Sequence, residues 1–231
     1  MAAIIARAQD PNKPEQPPGE AKSAKTQALE MGAGMLQSNG PLNAIHAHLC
    51  GFHFYADRPS QQVMAIHYCA GMNEEMRQCI IYDSDRKDAR MIGVEYIISE
   101  RLFNTLPEDE KKLWHSHRYE VQSGQLFAPK VPNVAEKELM KDLINTYGKT
   151  WHFWQVDRGD KLPLGIPQLM MGFTQDGQAG AELLKRGEDY FGVSMSKNKQ
   201  NRADIPAHEV APGADAWEKG PAVQLSLQPS E

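Results

Sequence analysis

The chain has 231 residues, of which 41% are hydrophobic and 24% charged, a composition typical of one globular domain. Its formal net charge of −5 supplies no basic face for phosphate groups, so we expect no nucleic-acid partner. Its apolar runs are far shorter than the roughly 20 residues of a membrane-spanning helix, so we expect no transmembrane segment.

Both ends of the chain are predicted to be disordered. Residues 1–27 and 194–231 are rich in Pro, Gln, Lys and Glu and offer few periodic apolar side chains. A single ordered domain is therefore predicted over residues 28–193. A weakly amphipathic helix is expected at about residues 25–37, across the start of this domain.

Three apolar runs follow in the first half of the domain. VMAIHYCAGM, RQCIIYD and MIGVEYIIS are predicted strands, and the polar SDRKDAR between the last two favours a hairpin. SERLFNTLPEDEKKLW is predicted to turn helical, with Ser99 as a first cap and Pro107 at the start of a second helix. Residues 117–128 are expected to be extended.

The second half mixes helices and strands. VAEKELMKDLINTYG predicts an amphipathic helix that Gly148 ends, and its apolar face comprises Val134, Leu139, Leu143 and Ile144. TWHFWQV and PQLMMGFT are predicted strands, and AELLKRGEDYF is a predicted last helix. This order indicates an α+β fold, a single mixed domain with an antiparallel-rich sheet packed by helices and with disordered termini.

Histidines are concentrated in one part of the sequence, since seven of the eight lie between residues 46 and 152. In an extended chain residues i and i+2 point to the same side, so His115 and His117 in KKLWHSHRYEVQSG are predicted to present two imidazoles to one ion. Glu120 is the nearest carboxylate. On a regular strand it faces away from both histidines and joins them only through a bulge or a helical bend.

Further ligands are predicted at His67, which lies on an apolar strand, and at His152, with His53 and Cys69 as secondary candidates. Such a set suits a divalent transition metal, namely zinc, iron or manganese. The alternative is that these histidines are partly buried, hydrogen-bonded side chains that hold no metal. A double substitution of His115 and His117 would then lower stability and remove no ion.

Three cysteines, Cys50, Cys69 and Cys79, show no framework spacing and predict reduced thiols in a cytoplasmic protein. His67 and Cys69 share a strand face, as a nucleophilic Cys/His pair would require. No neighbouring residue is seen to lower the thiol pKa and no oxyanion-hole motif is present, so core packing of Cys69 is favoured. An apolar ligand pocket is a further alternative, with Trp151, Trp154 and Tyr119 as its lining.

Four long strings, HLCGFHFYADRPSQQVMAIHYC, NEEMRQCIIYDSD, ARMIGVEYIISERLFNTLPEDEKKLWHSHRYEVQSG and YGKTWHFWQVDRGDKLPLGIPQLMMGFTQDGQ, together resemble the oil-body-associated protein family. The resemblance extends over about residues 42–178. It implies association with oil bodies and a role in their shape and stability, and it brings no catalytic mechanism. The family's His and Glu pattern falls on His53, His67, His115, His117, Glu120 and His152.

Three functions remain open from the sequence. The first is an accessory protein of oil bodies or lipid droplets, of unknown molecular activity, that contacts the droplet surface or its proteins. The second is a metal-dependent enzyme that uses a divalent ion held by histidine and glutamate. The third is a carrier of a small apolar ligand.

Overall fold

The computed structural model describes residues 17–228. The predictions of disorder for residues 1–16 and 229–231 lie outside the described residues. The strands are β1 (Ala47–Tyr55), β2 (Arg58–Asn73), β3 (Met76–Tyr82), β4 (Met91–Ser99), β5 (His115–Ser116), β6 (Thr146–His152) and β7 (Gln168–Met171). The helices are α1 (Ala24–Leu36), α2 (Gly40–Asn43), α3 (Glu100–Asn104), α4 (Glu108–Lys111), α5 (Arg118–Ser123), α6 (Asn133–Leu143), α7 (Ala181–Phe191) and α8 (Met195–Asn201), with 3₁₀ turns at Val156–Arg158 and Ala216–Glu218.

The sheet closes on itself. Its strands follow the order β4-β3-β2-β1-β7-β6, and β4 also pairs with β6 from Gly93 opposite His152 to Ser99 opposite Thr146. Every pairing is antiparallel, and the short β5 adds to β6. The predicted α+β domain with an antiparallel-rich sheet is confirmed. Because side chains alternate along a strand, every second residue faces the interior of the closed sheet.

Polar residues occupy the middle of this interior, between two apolar ends. Three strands show the arrangement, namely His53 between Leu49 and Tyr55 on β1, His67 between Ala65 and Cys69 on β2, and Glu95 between Ile92 and Ile97 on β4. One apolar end includes Tyr55, Val63, Ile81 and Met170. The other packs against Val121 and Leu126 and against Met140 and Leu143 of α6.

Helices cover part of the outer surface of the sheet. Phe52, Phe54, Met64 and Ile66 point outward from β1 and β2 and pack against Leu183 of α7. The predicted helix AELLKRGEDYF corresponds residue for residue to α7. Within residues 17–228, the helices are all too short or too polar to span a bilayer.

The chain remains packed on the body after residue 193, within the range 194–231 that was predicted to be disordered. Met195 is buried, and so is Arg202, whose guanidinium donates to the Val121 and Leu126 carbonyls at 2.9 and 2.8 Å. Arg202 also forms an ion pair with Glu136 of α6. The contact is made largely by the charged side chain of Arg202. The low apolar content of the segment therefore did not predict that it packs on the domain.

Two local predictions in the second half are wrong. The helix predicted to end at Gly148 ends at Leu143, and Gly148 lies inside β6, where pairing with β4 outweighs its breaking tendency. Val134, placed on the apolar face, is 81% exposed, whereas Met140 and Leu143 are fully buried.

The prediction of reduced thiols is wrong for two of the three cysteines. Cys69 and Cys79 are partners across the β2–β3 hairpin and form a disulfide. Cysteine spacing alone did not reveal the disulfide, because the pairing depends on the register of the β2–β3 hairpin. Cys69 is therefore neither a free nucleophile nor an available metal ligand.

Candidate metal centre

Five histidines and two glutamates meet inside the closed sheet. None is more than 3% exposed, and ionisable groups are rarely buried so completely without partners or a metal. They are His53, His67, Glu95, His115, His117, Glu120 and His152. All the histidines predicted as ligands are in this group.

The turn after His117 carries Glu120 back to the histidines. Strand β5 pairs with β6 over only two residues, with His115 opposite Gly148, and helix α5 then begins at Arg118. The expectation of an extended chain over residues 117–128 is therefore wrong for Arg118–Ser123, while Phe127 forms an antiparallel bridge with Cys50. Residues three apart share a face of a helix, so Glu120 returns to the side of His117. Of the two ways in which Glu120 was expected to reach the histidines, a bulge or a helical bend, the structure shows the helical bend.

Glu95 lies at the centre of the cluster. Its Oε2 is 3.1 Å from His67 Nε2, and its Oε1 is 3.4 Å from His115 Nε2 and 3.3 Å from His117 Nε2. An ion bound at about 2.0–2.2 Å by two ligands keeps them roughly 2.8–3.6 Å apart in tetrahedral or octahedral geometry. The three distances fall in this range.

Two sets of three residues have ligand atoms close enough together to hold an ion. The ligand atoms of His53, Glu95 and His115 lie within 4.8 Å of one another, and those of His115, His117 and Glu120 do the same. His115 belongs to both groups. An ion in this cluster is therefore within reach of His115 from either side.

The hydrogen bonds of His117 fix its tautomer. The Thr146 hydroxyl donates to the Leu143 carbonyl at 2.7 Å, so it can only accept from His117 Nδ1, 2.8 Å away. Neutral His117 then carries its lone pair on Nε2, which faces the Glu95 carboxylate. Two acceptors in contact repel each other unless a cation or a proton lies between them.

Other polar atoms of the cluster lack hydrogen-bond partners among the described residues. They are Nδ1 of His67 and of His115, together with Glu120 Oε2; Nε2 of each of these histidines has only its contact with Glu95, at 3.1 and 3.4 Å, which is not aligned as a hydrogen bond. Leaving each such atom unpaired in the interior costs roughly 1–3 kcal/mol. A cavity of about 10 Å³, enough for one water molecule or ion, adjoins His67, Glu95, His117 and Glu120.

The two carboxylates differ in charge state. Burial raises the pKa of Glu95, but the imidazoles of His115, His117 and His67 outweigh it and hold this pKa well below the usual range. Burial raises the pKa of Glu120 well above its ordinary value, and the charge of Glu95 adds to the effect. Glu95 is thus the anionic member of the site, and Glu120 retains its proton when no cation is bound.

His152 lies behind His53 in the cluster. His53 Nδ1 and His152 Nε2 are 3.2 Å apart, one donating to the other. Burial lowers the pKa of His152 to about 3 and that of His53 well below its ordinary value, so both are neutral. This bond positions His53 as a hydrogen bond to a ligand's second nitrogen does in metal sites.

The three residues proposed to line an apolar pocket are divided between two clusters. Trp151 and Tyr119 pack on the outer apolar cluster, while Trp154 joins the inner one and donates from Nε1 to the Asp160 carbonyl. Tyr119 donates to Asp176 and lines a surface groove of about 940 Å³. The groove also contacts Ser116, the residue between His115 and His117.

Asp215 lies at the floor of this groove and titrates in an unusual range. Its Oδ1 accepts from the Ser116 amide at 3.0 Å, and burial raises its pKa from 3.8 to about 7. Between pH 4 and 7 the folded protein therefore binds more protons than the unfolded chain, so this group's contribution to stability falls as the pH rises through that window.

Asp215→Asn keeps the acceptor for Ser116 and removes the titration. We expect the variant to match wild type at pH 4 and to exceed its free energy of unfolding by at least about 1 kcal/mol at pH 8. Urea unfolding at pH 4, 6 and 8 measures the difference. An equal difference at all three pH values would contradict the raised pKa.

Glu95 was missed by the sequence analysis, although it is the hub of the site. The available signal was its position in MIGVEYIIS, one carboxylate on the inward face of an otherwise apolar strand. Glu is almost never buried unless it is paired. The strand prediction therefore already implied a partner for Glu95 and lacked only its identity.

Known proteins match this chain over most of its length. The profile of a family described as "Protein of unknown function (DUF1264)" matches residues 39–206. Oil body-associated protein 1A of Zea mays is 51% identical over 205 residues, 88% of this chain and 86% of that protein. Oil body-associated protein 1B of Arabidopsis thaliana is 48% identical over 210 residues, 90% of this chain and 87% of that protein. No solved structure matches.

Proposed function

This chain belongs to the oil body-associated, DUF1264 family, and we propose that it binds one divalent transition-metal ion inside its closed sheet. Glu95 and His115 are the central ligands, with His67 and His117 beside them. His53 and Glu120 lie within reach of the same ion. The names of the relatives support association with oil bodies, so we place the metal-binding protein at the oil-body surface, in contact with that surface or with its proteins.

The observation that carries this proposal is the contact between Glu95 and His117. The hydrogen bond to Thr146 orients His117 so that its Nε2 lies 3.3 Å from Glu95 Oε1, and the same carboxylate faces Nε2 of His67 and of His115 at 3.1 and 3.4 Å. One cation among these atoms would be bound by the carboxylate and by the ring nitrogens at once. The same ion pairs the otherwise unsatisfied nitrogens of His67 and His115, and no single proton serves all of these atoms.

The ligand atoms restrict the identity of the ion. Imidazole nitrogen and carboxylate oxygen suit zinc, iron and manganese, whereas calcium and magnesium prefer oxygen alone. The sulfur atoms of Cys69 and Cys79 are bonded to each other and supply no thiolate, the ligand that copper(I) favours. We therefore expect zinc, iron or manganese.

A catalytic role is the second candidate, and Glu120 favours it. Its Oε2 has no hydrogen-bond partner among the described residues and lies 3.8 Å from His115 Nε2. A protonated carboxyl beside a metal is suited to transfer a proton to a bound substrate. The adjoining cavity of about 10 Å³ restricts such a substrate to the size of water or dioxygen unless the chain opens.

Metal analysis of protein purified without a histidine tag tests the proposal. We expect close to one ion per chain in wild type and little in His115→Ala/His117→Ala. The matched control is His46→Ala/His208→Ala, which removes two exposed histidines and is expected to keep the ion. Equal, substoichiometric metal in all three proteins would reject metal binding, and a loss of stability alone in the first variant would assign these histidines to packing.

A further inference from the structure

The Cys69–Cys79 disulfide lies next to the metal ligands. Cys69 follows His67 by two residues and therefore shares its face of β2. Cys79 is the partner of Cys69 on one side and of Glu95 on the other, in the β3–β4 pairing. The disulfide thus joins β2, which carries His67, to β3, the strand that lies between β2 and the β4 that carries Glu95.

The surroundings of the disulfide leave little freedom for its sulfur atoms. Cys69 and Cys79 are 1% and 3% exposed, and they pack with Leu49 and Ile97 at the apolar end of the interior. Protein interiors are close-packed, so a change in the separation of two atoms there is transmitted to their neighbours. The nearest polar neighbours along and across the strands are His67 and Glu95.

We propose that the redox state of this disulfide controls the affinity of the metal centre, an inference that rests on the proposed function. Two unbonded sulfur atoms cannot approach as closely as two bonded ones, so reduction forces β2 and β3 apart at this point. His67 and Glu95 move with their strands. Ligand distances in metal sites hold to within about 0.2 Å, so the reduced protein binds the ion more weakly.

The chemical step requires a dithiol as reductant. One thiolate of the dithiol attacks a cysteine sulfur, the Cys69–Cys79 bond breaks, and the second thiol of the reductant closes its own disulfide. The dithiol loses two electrons and two protons, and the two cysteines gain them as thiols. No other co-reactant is needed.

Coupling of this kind is reciprocal. If reduction weakens metal binding by a given factor, the bound metal disfavours reduction by the same factor. The ion also restrains β2 and β4, so a dithiol has less access to the buried sulfur atoms. Metal-loaded protein is therefore expected to develop free thiols more slowly than metal-free protein.

Cys50 provides a matched control within the same sheet. It is buried and unbonded, and it lies in the outer apolar cluster with Phe52 and Phe127. Burial raises the pKa of its thiol well above the ordinary value, so it stays protonated and unreactive. Cys50→Ser is therefore expected to leave the effect of reduction on metal affinity unchanged.

The experiment compares zinc affinity before and after reduction. Metal-free protein is treated with dithiothreitol, which is then removed by gel filtration without oxygen, and zinc is titrated against a chromogenic chelator. We expect the affinity of reduced wild type and reduced Cys50→Ser to be about 10–100-fold weaker than that of the oxidised proteins. Cys69→Ala/Cys79→Ala is expected to show no change on dithiothreitol treatment.

Alkylation with iodoacetamide, followed by mass measurement, gives a second readout that needs no cysteine variant. Slower appearance of two new thiols in zinc-loaded wild type supports the coupling. The coupling would be overturned, and the metal centre left intact, if oxidised and reduced protein had equal zinc affinities and if zinc-loaded and metal-free protein were alkylated at equal rates. Absence of zinc binding in the oxidised wild type would overturn both.

Discussion

Glu95→Gln is expected to reduce the affinity for zinc by more than about 100-fold. Glu95 contacts three of the imidazoles and is the anionic carboxylate of the site. Changes to groups that only support a ligand already cost 10–100-fold, so loss of the charged central ligand costs more. Chelator competition measures the affinity of the purified variant.

The same variant separates metal binding from packing. Glutamine has the shape of glutamate, and its amide N–H can donate to the lone pair of His117 Nε2. We therefore expect metal-free Glu95→Gln to unfold within about 1 kcal/mol of metal-free wild type, while the rise in Tm that zinc gives to wild type is absent.

The exposed Glu182→Gln on α7 is the control and is expected to retain both affinity and Tm shift. Wild-type affinity in Glu95→Gln would remove Glu95 from the ligand set. A large loss of stability in the metal-free variant would identify Glu95 as a packing group instead.

Gly148→Ala is expected to abolish metal binding and to lower the free energy of unfolding by about 3 kcal/mol or more. A Cβ atom at this position would lie 2.1 Å from Glu95 Oε1 and 2.9 Å from His115 Nε2. Both contacts are far below van der Waals distance, so the carboxylate and the ring must shift. Overpacking of an interior costs about 1–3 kcal/mol, and occasionally more.

The comparison with other glycines makes this prediction specific. Gly172→Ala would bring a Cβ within 2.6 Å of Glu120 Oε2 and 2.9 Å of His115 Cδ2. It is expected to weaken metal binding less than Gly148→Ala, because it meets no atom of Glu95 and meets His115 at a ring carbon rather than at Nε2. Gly32→Ala meets nothing within 4 Å in α1 and is expected to stabilise slightly, since alanine favours a helix. Chemical denaturation and metal titration measure all three. Normal metal binding by Gly148→Ala would show that the ion lies elsewhere.

Local patterns predicted most elements of this fold. Period-two alternation and β-branched residues identified β2, β3 and β4, and helical periodicity identified α7 to the residue. The side chain of Ser99 accepts from the Leu102 amide, as its capping position predicts. These features depend on interactions within one turn or between adjacent strands, which neighbouring residues specify.

The candidate site was predicted in part. The HxH spacing and the following glutamate drew attention to His115, His117 and Glu120, whose ligand atoms lie within 4.8 Å of one another, and the helical bend that brings Glu120 round was one of two routes the sequence left open. Glu95 escaped because its partners come from β2 and β5, far from it in sequence. A lone carboxylate on a strand gives no indication of which strands close around it.

The sequence by itself determined the family, the α+β class and part of the chemistry available, namely a concentration of histidines between residues 46 and 152 with Glu120 close to two of them. The tertiary structure alone decided that β4 meets β6, that Glu95 reaches three imidazoles, that Cys69 bonds to Cys79 and that Arg202 anchors the last helix. The physical reason is that sequence periodicity fixes the face on which a side chain lies. The register between distant strands, which fixes what that side chain meets, arises only when the whole sheet closes.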